Sequence, residues 1–293
     1  MVYERPVGSR WRRGLRRAFA FVAAVIALAF AAAWGYLFWH GNKAADTTGE
    51  YVALGSSFAA GIGIGPRAPG SPIHCMRTSG GYPALVAKRT GLRLVDMSCS
   101  GSTTGHILDG GQLMLGPQLA AIGPRTRLVT ITSGGNDVGY VGDLMVASGD
   151  MGLIGAWLHG DIQPASTRPY GGVSARLETI VRHIRRKSPK AVILVVNYPA
   201  LLPVKGKCAA LAITGRQAAI SREVAGRLAQ ATRQAADRAG ALLIDMDAAG
   251  AGHDACSAAP WVHGAKPASG TAFHPNAAGA AATADRIVAA LQP

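Results

Sequence analysis

Four segments of this chain carry residue types that could do chemistry together. They are Gly55-Ser56-Ser57-Phe58-Ala59-Ala60-Gly61, Ser98-Cys99-Ser100-Gly101-Ser102-Thr103-Thr104, Gly134-Gly135-Asn136-Asp137-Val138-Gly139 and Phe273-His274-Pro275-Asn276. Between them they offer a hydroxyl, a glycine N–H, a carboxamide and an imidazole. Acyl transfer needs those parts: a nucleophile, a base, and two or three donors for the oxyanion. Ser57 directly follows a short apolar run and opens a helix, a place where backbone N–H groups gather; a serine that only caps a helix would sit there too. Asn136 follows two glycines, which let backbone and carboxamide approach a ligand. Asp137 beside it reads as a loop-fixing residue. The other histidines, His40, His74, His106, His159, His183, His253 and His263, stand in no such block. Gly61, Gly63 and Gly65 imitate a phosphate loop, but their spacing is wrong and Pro66, Pro69 and Pro72 forbid a following helix. His253-x-x-Cys256 lacks the second half-site that zinc requires. Neither a metal nor an organic cofactor is implied.

The elements that must position these segments alternate. Apolar runs at 51–55, 92–99, 126–133, 191–198 and 241–246 read as strands covered on both faces, the strongest being Ala191–Tyr198, stopped by Pro199. Helical spacing appears at 173–187 (Val173, Leu177, Ile180, Val181, Ile184), at 216–239 (Ile220, Val224, Leu228, Ala231) and at 276–291 (Ile287, Val288, Leu291). Alternating strands and helices predict a doubly wound α/β domain with a parallel sheet. Ligands bind such sheets at the carboxyl ends of the strands, where the first three segments lie. The apolar stretch around Leu144, Met145, Met151, Leu153, Ile154, Trp157 and Leu158 reads as core, or as the wall of an acyl-chain pocket.

The first fifty residues are different. Residues 1–17 hold six arginines against Glu4, and residues 18–39 run without a charge. As a helix that run spans about 33 Å, enough to cross a bilayer. Trp34, Tyr36 and Trp39 stand at its outer end, and the preceding arginines predict a cytoplasmic N-terminus. The run is longer than a cleavable signal core and no clean small-residue site follows Trp39, so it reads as an uncleaved anchor. Cleavage near Ala45 would release the chain instead, and Arg16-Arg17-Ala18-Phe19 also resembles a twin-arginine signal. The expected organisation is a basic cytoplasmic segment at 1–17, a transmembrane helix at 18–39, a linker at 40–50 and one domain at 51–293. At 49% hydrophobic and 16% charged, the 293 residues exclude a disordered chain. The formal net charge is +14, but outside the first seventeen residues it is scattered rather than massed with stacking aromatics, which argues against nucleic acid. Cys75, Cys99, Cys208 and Cys256 all follow the span; in an oxidising compartment they should pair, with three connectivities open.

The four blocks resemble the SGNH (GDSL-type) hydrolase family, in its secreted actinobacterial esterase and lipase branch. That branch opens roughly YVALGDSYSSG where this chain reads YVALGSSFAAG, and its CSG-ATT, GGNDVGF and FHPN-A-G correspond to CSGSTT, GGNDVGY and FHPNAAG. The resemblance covers residues 51–290. It implies a flavodoxin-like three-layer α/β/α fold with a five-stranded parallel sheet. It makes Ser57 the nucleophile, His274 the general base, and the Ser57 N–H, the Gly101 N–H and the Asn136 side chain the oxyanion hole. It also implies the disulfides Cys75–Cys99 and Cys208–Cys256. Ser56 replaces the family's usual Asp, which could cost a hydrogen bond that shapes the turn. The family's usual acid, three residues before the histidine, is here Thr271. Its backbone carbonyl is therefore the expected partner of His274 Nδ1, giving a Ser-His dyad; an acid from elsewhere, Asp247 or Asp254, is the competing third member. The implied protein is a membrane-anchored extracytoplasmic serine ester hydrolase acting on an ester, whether lipid or acylated envelope glycan. An acyltransferase using the same site and a non-catalytic envelope protein that binds glycan or lipid are the alternatives.

Overall fold

The structure is a computed structural model that describes residues 8–160 and 162–292; of the expected basic segment at 1–17, residues 1–7 lie outside the described residues. It divides into an N-terminal unit and an α/β unit that begins at Ala45. The N-terminal unit contains one continuous helix, α1 (Gly8–Gly41), which extends the uncharged run at both ends. Its Gly14–Gly41 portion is long and apolar enough to cross a membrane, and its large side chains, among them Phe19, Leu28, Phe30 and Trp34, are exposed.

In chain order the α/β unit contains β1 (Tyr51–Gly55), α2 (Ser57–Ala60), α3 (Tyr82–Thr90), β2 (Leu94–Asp96), α4 (Thr104–Asp109), β3 (Leu128–Thr132), α5 (Tyr140–Ala147) and α6 (Gly152–His159). Next come α7 (Tyr170–Lys187), β4 (Val192–Val196), α8 (Gly215–Ala239), β5 (Leu242–Ile244), α9 (Met246–Ala249) and α10 (Ala277–Ala289). All five expected strands are present. The outer two are only three residues each and partly exposed, because each has a neighbour on one side alone.

The sheet is wholly parallel in the order β2-β1-β3-β4-β5, with Tyr51 opposite Leu128 and Leu128 opposite Val192. Alternation sorts the strand side chains into two layers. Val52, Leu54, Val129, Ile131, Ile193 and Val195 face the apolar stripes of α7 and α8, where Val173, Leu177, Ile180, Val224 and Leu228 are buried. Tyr51, Ala53, Leu194 and Val196 face α3 and α10 through Val86, Ala284 and Ile287. This is the three-layer α/β/α arrangement. The chain leaves β1 for β2 on one side and returns to β3 on the other. The carboxyl ends of β1 and β3 therefore flank the crevice where such sheets bind ligands.

Candidate active site

Ser57 is placed by the end of β1. Gly55 has φ +146°, and a side chain there would collide with the Thr132 carbonyl at 2.4 Å, so only glycine lets β1 turn this closely over β3. The Ser56 N–H donates to the Thr132 carbonyl, and Ser57 becomes the first residue of α2, 8% exposed. His274 arrives from the other end of the chain, 217 residues away. It is 5% exposed, and its Nε2 lies 2.8 Å from Ser57 Oγ. The Nδ1 lies 2.8 Å from the Ala272 carbonyl. A carbonyl can only accept, so Nδ1 carries the ring proton, Nε2 presents its lone pair, and the Ser57 hydroxyl donates to it.

The acceptor is one residue removed from the expected one. Thr271 does not orient the ring: its carbonyl takes the His274 backbone N–H at 3.2 Å. The intervening Phe273 is left-handed (φ +54°) with its side chain wholly buried, and that kink turns the Ala272 carbonyl under the imidazole. No carboxylate hydrogen-bonds His274 among the described residues. Asp247 is paired with Arg233 at 2.8 Å, and Asp254 accepts the Cys256 N–H at 2.8 Å. Burial drives the His274 pKa down to about 4. The Ala272 carbonyl opposes that shift, and the nearby His263 adds to it.

The candidate oxyanion donors stand on segments tied to the end of β1, where the Cys99 N–H donates to the Gly55 carbonyl at 3.0 Å. Gly101 has φ +82°, a conformation natural to glycine. Among the described residues, neither the Ser57 nor the Gly101 backbone N–H is donated to a protein acceptor. The Asn136 Nδ2 gives one hydrogen to the Ser102 carbonyl at 2.8 Å, which leaves its second available. Asp137 fixes the loop, as expected: its carboxylate accepts both the Thr104 N–H at 3.0 Å and the Thr104 hydroxyl, tying the end of β3 to the start of α4.

Two supporting residues escaped the sequence reading. The Tyr198 hydroxyl accepts the Gly135 N–H at 2.9 Å, which fixes the loop that carries Asn136. The Tyr198 ring packs edge-on against Phe58, which in turn lies 5.1 Å from the His274 ring. Gln118 bonds both Gly55 and Ser102. Tyr198 was visible only as the end of a strand run. Gln118 carried no signal, because nothing in its neighbourhood marks it as buried.

The cysteines join as Cys75–Cys99 and Cys208–Cys256. The first bridge holds the Ser100-Gly101 loop, reinforced by the Ser100 N–H on the Cys75 carbonyl at 3.1 Å. His74 lies beside that bridge, but disulfide sulfurs offer no thiolate to a metal. The apolar stretch at 144–158 is only partly core. Leu144 is buried, whereas Leu153 (92% exposed), Ile154, Trp157 (80% exposed) and Leu158 stand on the outer surface of α6. Their spacing places all four on one face of α6, and the other described residues leave that face uncovered. A cavity of about 410 Å³ is lined by Ala210, Val262, His263, Lys266, Ser269 and Asn276; its lining includes none of Ser57, Gly101, Asn136 or His274.

The sequence profile of the GDSL-like Lipase/Acylhydrolase family matches residues 53–282. Lipase 2 of Streptomyces coelicolor is 31% identical over 257 residues, covering 80% of this chain and 83% of that protein. Among solved structures, phospholipase A1 from Streptomyces albidoflavus NA297 superposes with a TM-score of 0.66 at 28% identity, covering 83% of this chain and 99% of the other. The extracellular lipase of Streptomyces rimosus gives the same values for TM-score, identity and coverage.

Proposed function

Because this chain belongs to the GDSL-like lipase/acylhydrolase family and is a carboxylic ester hydrolase, we propose that it works through a Ser57–His274 dyad, outside the cytoplasm, on ester-linked acyl groups of lipids. The observation that carries this reading is the 2.8 Å contact between Ser57 Oγ and His274 Nε2, two residues 217 apart in sequence. With its proton on Nδ1, His274 takes the Ser57 proton as Oγ attacks the ester carbonyl carbon. Negative charge moves to the carbonyl oxygen, where the N–H groups of Ser57 and Gly101 and the second hydrogen of Asn136 Nδ2 receive it. The intermediate collapses, His274 gives the proton to the departing alcohol, and an acyl-Ser57 ester remains. Water then attacks that ester, His274 takes its proton, and a second collapse returns it to Ser57 and frees the acid. The Ala272 carbonyl orients the imidazole throughout.

The location is proposed on three supports. The arginines precede the apolar helix, which favours export of the domain beyond it. Two disulfides suit an oxidising compartment. The S. rimosus relative is described as extracellular. In this reading residues 1–17 are cytoplasmic, 18–39 cross the membrane, 40–50 link, and 51–293 hydrolyse. The lipid ester is chosen because the relatives that match well in both sequence and fold are lipases and a phospholipase. The test is hydrolysis of p-nitrophenyl esters of increasing chain length by the full chain in detergent, beside Ser57→Ala and His274→Ala. The expected result is turnover that rises with acyl length and disappears in both variants. Full turnover by Ser57→Ala would refute the dyad, and a preference for acetate would refute the lipid substrate.

A further inference from the structure

Gln118 hydrogen-bonds neither Ser57 nor His274, yet its carboxamide ties together the segments that carry the candidate oxyanion donors. Its side chain is buried, the whole residue being 5% exposed. The Oε1 accepts the Gly55 N–H at 2.8 Å, while Nε2 donates to the Gly55 carbonyl at 3.0 Å and to Ser102 Oγ at 2.9 Å. Strand β2 ends opposite Ala53, so Gly55 has no β2 residue beside it. The carboxamide takes that place with two bonds of opposite sense, as a neighbouring peptide unit would. The Cys99 N–H shares the same Gly55 carbonyl at 3.0 Å.

These contacts converge on the donors. Gly55 lies two residues before Ser57, whose N–H is the first. Ser102 follows Gly101, whose N–H is the second, and the Ser102 carbonyl holds Asn136 Nδ2, the third, at 2.8 Å. We propose that Gln118 is a positioning residue of the oxyanion hole, setting the distance between the Ser57 donor on one side and the Gly101 and Asn136 donors on the other. It touches no substrate and acts only through those groups. The proposal rests on the reading of Ser57 as nucleophile. Oxyanion donors act on the charge that develops in the transition state. Losing Gln118 should therefore lower kcat and leave KM nearly unchanged. A misplacement of about 1 Å in such a site costs on the order of 10²-fold.

The test uses the full chain in detergent, with rates normalised to the folded fraction. Each variant is assayed for kcat and KM on a p-nitrophenyl ester and for inhibition by an alkyl boronic acid, which mimics the tetrahedral intermediate on serine. Gln118→Glu keeps the shape but, when ionised, has no hydrogen for Gly55 or Ser102. Its kcat at neutral pH should fall by about tenfold or more, with KM within about threefold and boronate affinity falling in step with kcat. Burial raises the pKa of such a carboxyl, and its protonated form regains a donor. Turnover of Gln118→Glu should therefore recover as the pH is lowered, where a merely structural role would show only a changed melting temperature. Ser102→Ala removes one contact, keeps the carbonyl that holds Asn136, and should give a smaller kcat loss of the same kind. Combining either variant with Asn136→Ala should cost less than the product of the separate losses, because both act on one group of donors. Wild-type kcat in folded Gln118→Glu and Ser102→Ala, or losses that multiply fully with Asn136→Ala, would overturn the proposal. If Gln118→Glu does not fold, Ser102→Ala and its combination with Asn136→Ala decide. Ser57→Ala in the same assay separates the two readings: an inactive Ser57→Ala beside a wild-type Gln118→Glu sinks only the role of Gln118, while an active Ser57→Ala sinks both.

Discussion

Acid is the perturbation that tests the buried imidazole most directly. His274 is 5% exposed, its proton-bearing Nδ1 meets a carbonyl, and burial lowers its pKa from 6.5 to about 4. Protonation inside the folded site is therefore disfavoured, relative to the open chain, by about 3 kcal/mol at 1.36 kcal/mol per pH unit. The base must be neutral to act. kcat/KM should thus be level through neutral and mildly acidic pH and fall only as the pH approaches about 4. The same shift appears in stability. Between the unfolded value of 6.5 and the folded value of about 4, the unfolded chain binds the extra proton. Stability is then full above 6.5 and falls with decreasing pH across that window, by up to about 1.36 kcal/mol per unit. Two measurements check this. One is kcat/KM against pH for a soluble ester, with the product acid quantified by chromatography. The other is urea unfolding of the full chain in detergent against pH, compared with His274→Gln to remove the parallel contribution of His263, whose pKa burial also lowers. An acid limb near 6.5, or identical pH dependence of stability in the two proteins, would refute the account of a desolvated imidazole supported by a carbonyl alone.

Further outcomes come from the same geometry. Asn136→Ala should lower kcat by about 10²–10³ with the fold intact, because it removes one oxyanion donor; circular dichroism with steady-state kinetics checks it, and an unchanged kcat removes Asn136 from the site. Asp247→Asn and Asp254→Asn should each cost less than about tenfold in kcat, since both carboxylates are engaged away from His274; a loss near 10⁴, the scale of a neutralised triad acid, would make that residue a third catalytic member. A reporter that folds only outside the cytoplasm, fused after Pro293, should be active in cells, and activity of a cytoplasm-specific reporter there would reverse the topology.

The site is built from short segments that are each fixed twice. The Ser100-Gly101 loop is held by the Cys75–Cys99 bridge and by Gln112 Nε2 on the Ser100 carbonyl at 2.7 Å. The Asn136 loop is held by Asp137 on Thr104 and by Tyr198 on Gly135. The His274 segment is held by its own backbone twice: the His274 carbonyl accepts the His263 N–H at 2.9 Å, and the Phe273 N–H donates to the Gly264 carbonyl at 3.3 Å. Such redundancy suits an oxyanion hole, whose value lies in donors that need not reorganise as charge develops.

The amino-acid sequence by itself carried the architecture and the candidate reacting groups. Apolar runs alternating with helical stripes dictate a parallel sheet covered on both faces, because only that packing buries β1, β3 and β4 together with α7 and α8. Chemistry-bearing residue types put forward the four segments that hold Ser57, Gly101, Asn136 and His274, and the resemblance of those segments to the SGNH family gave each residue its expected role. Only the tertiary structure decided what lies between those groups. Whether Thr271 or Ala272 faces the imidazole depends on the left-handed backbone at Phe273, a conformation that a phenylalanine does not announce. Gln118 and Tyr198 matter because of what folding packs beside them, 63 residues away in sequence from Gly55 and Gly135 respectively, and local pattern is blind to that distance. The apolar residues of α6 signalled burial by their composition, yet they lie outside. Hydrophobicity states a preference, while exposure is set by how much surface the neighbouring elements have left to cover.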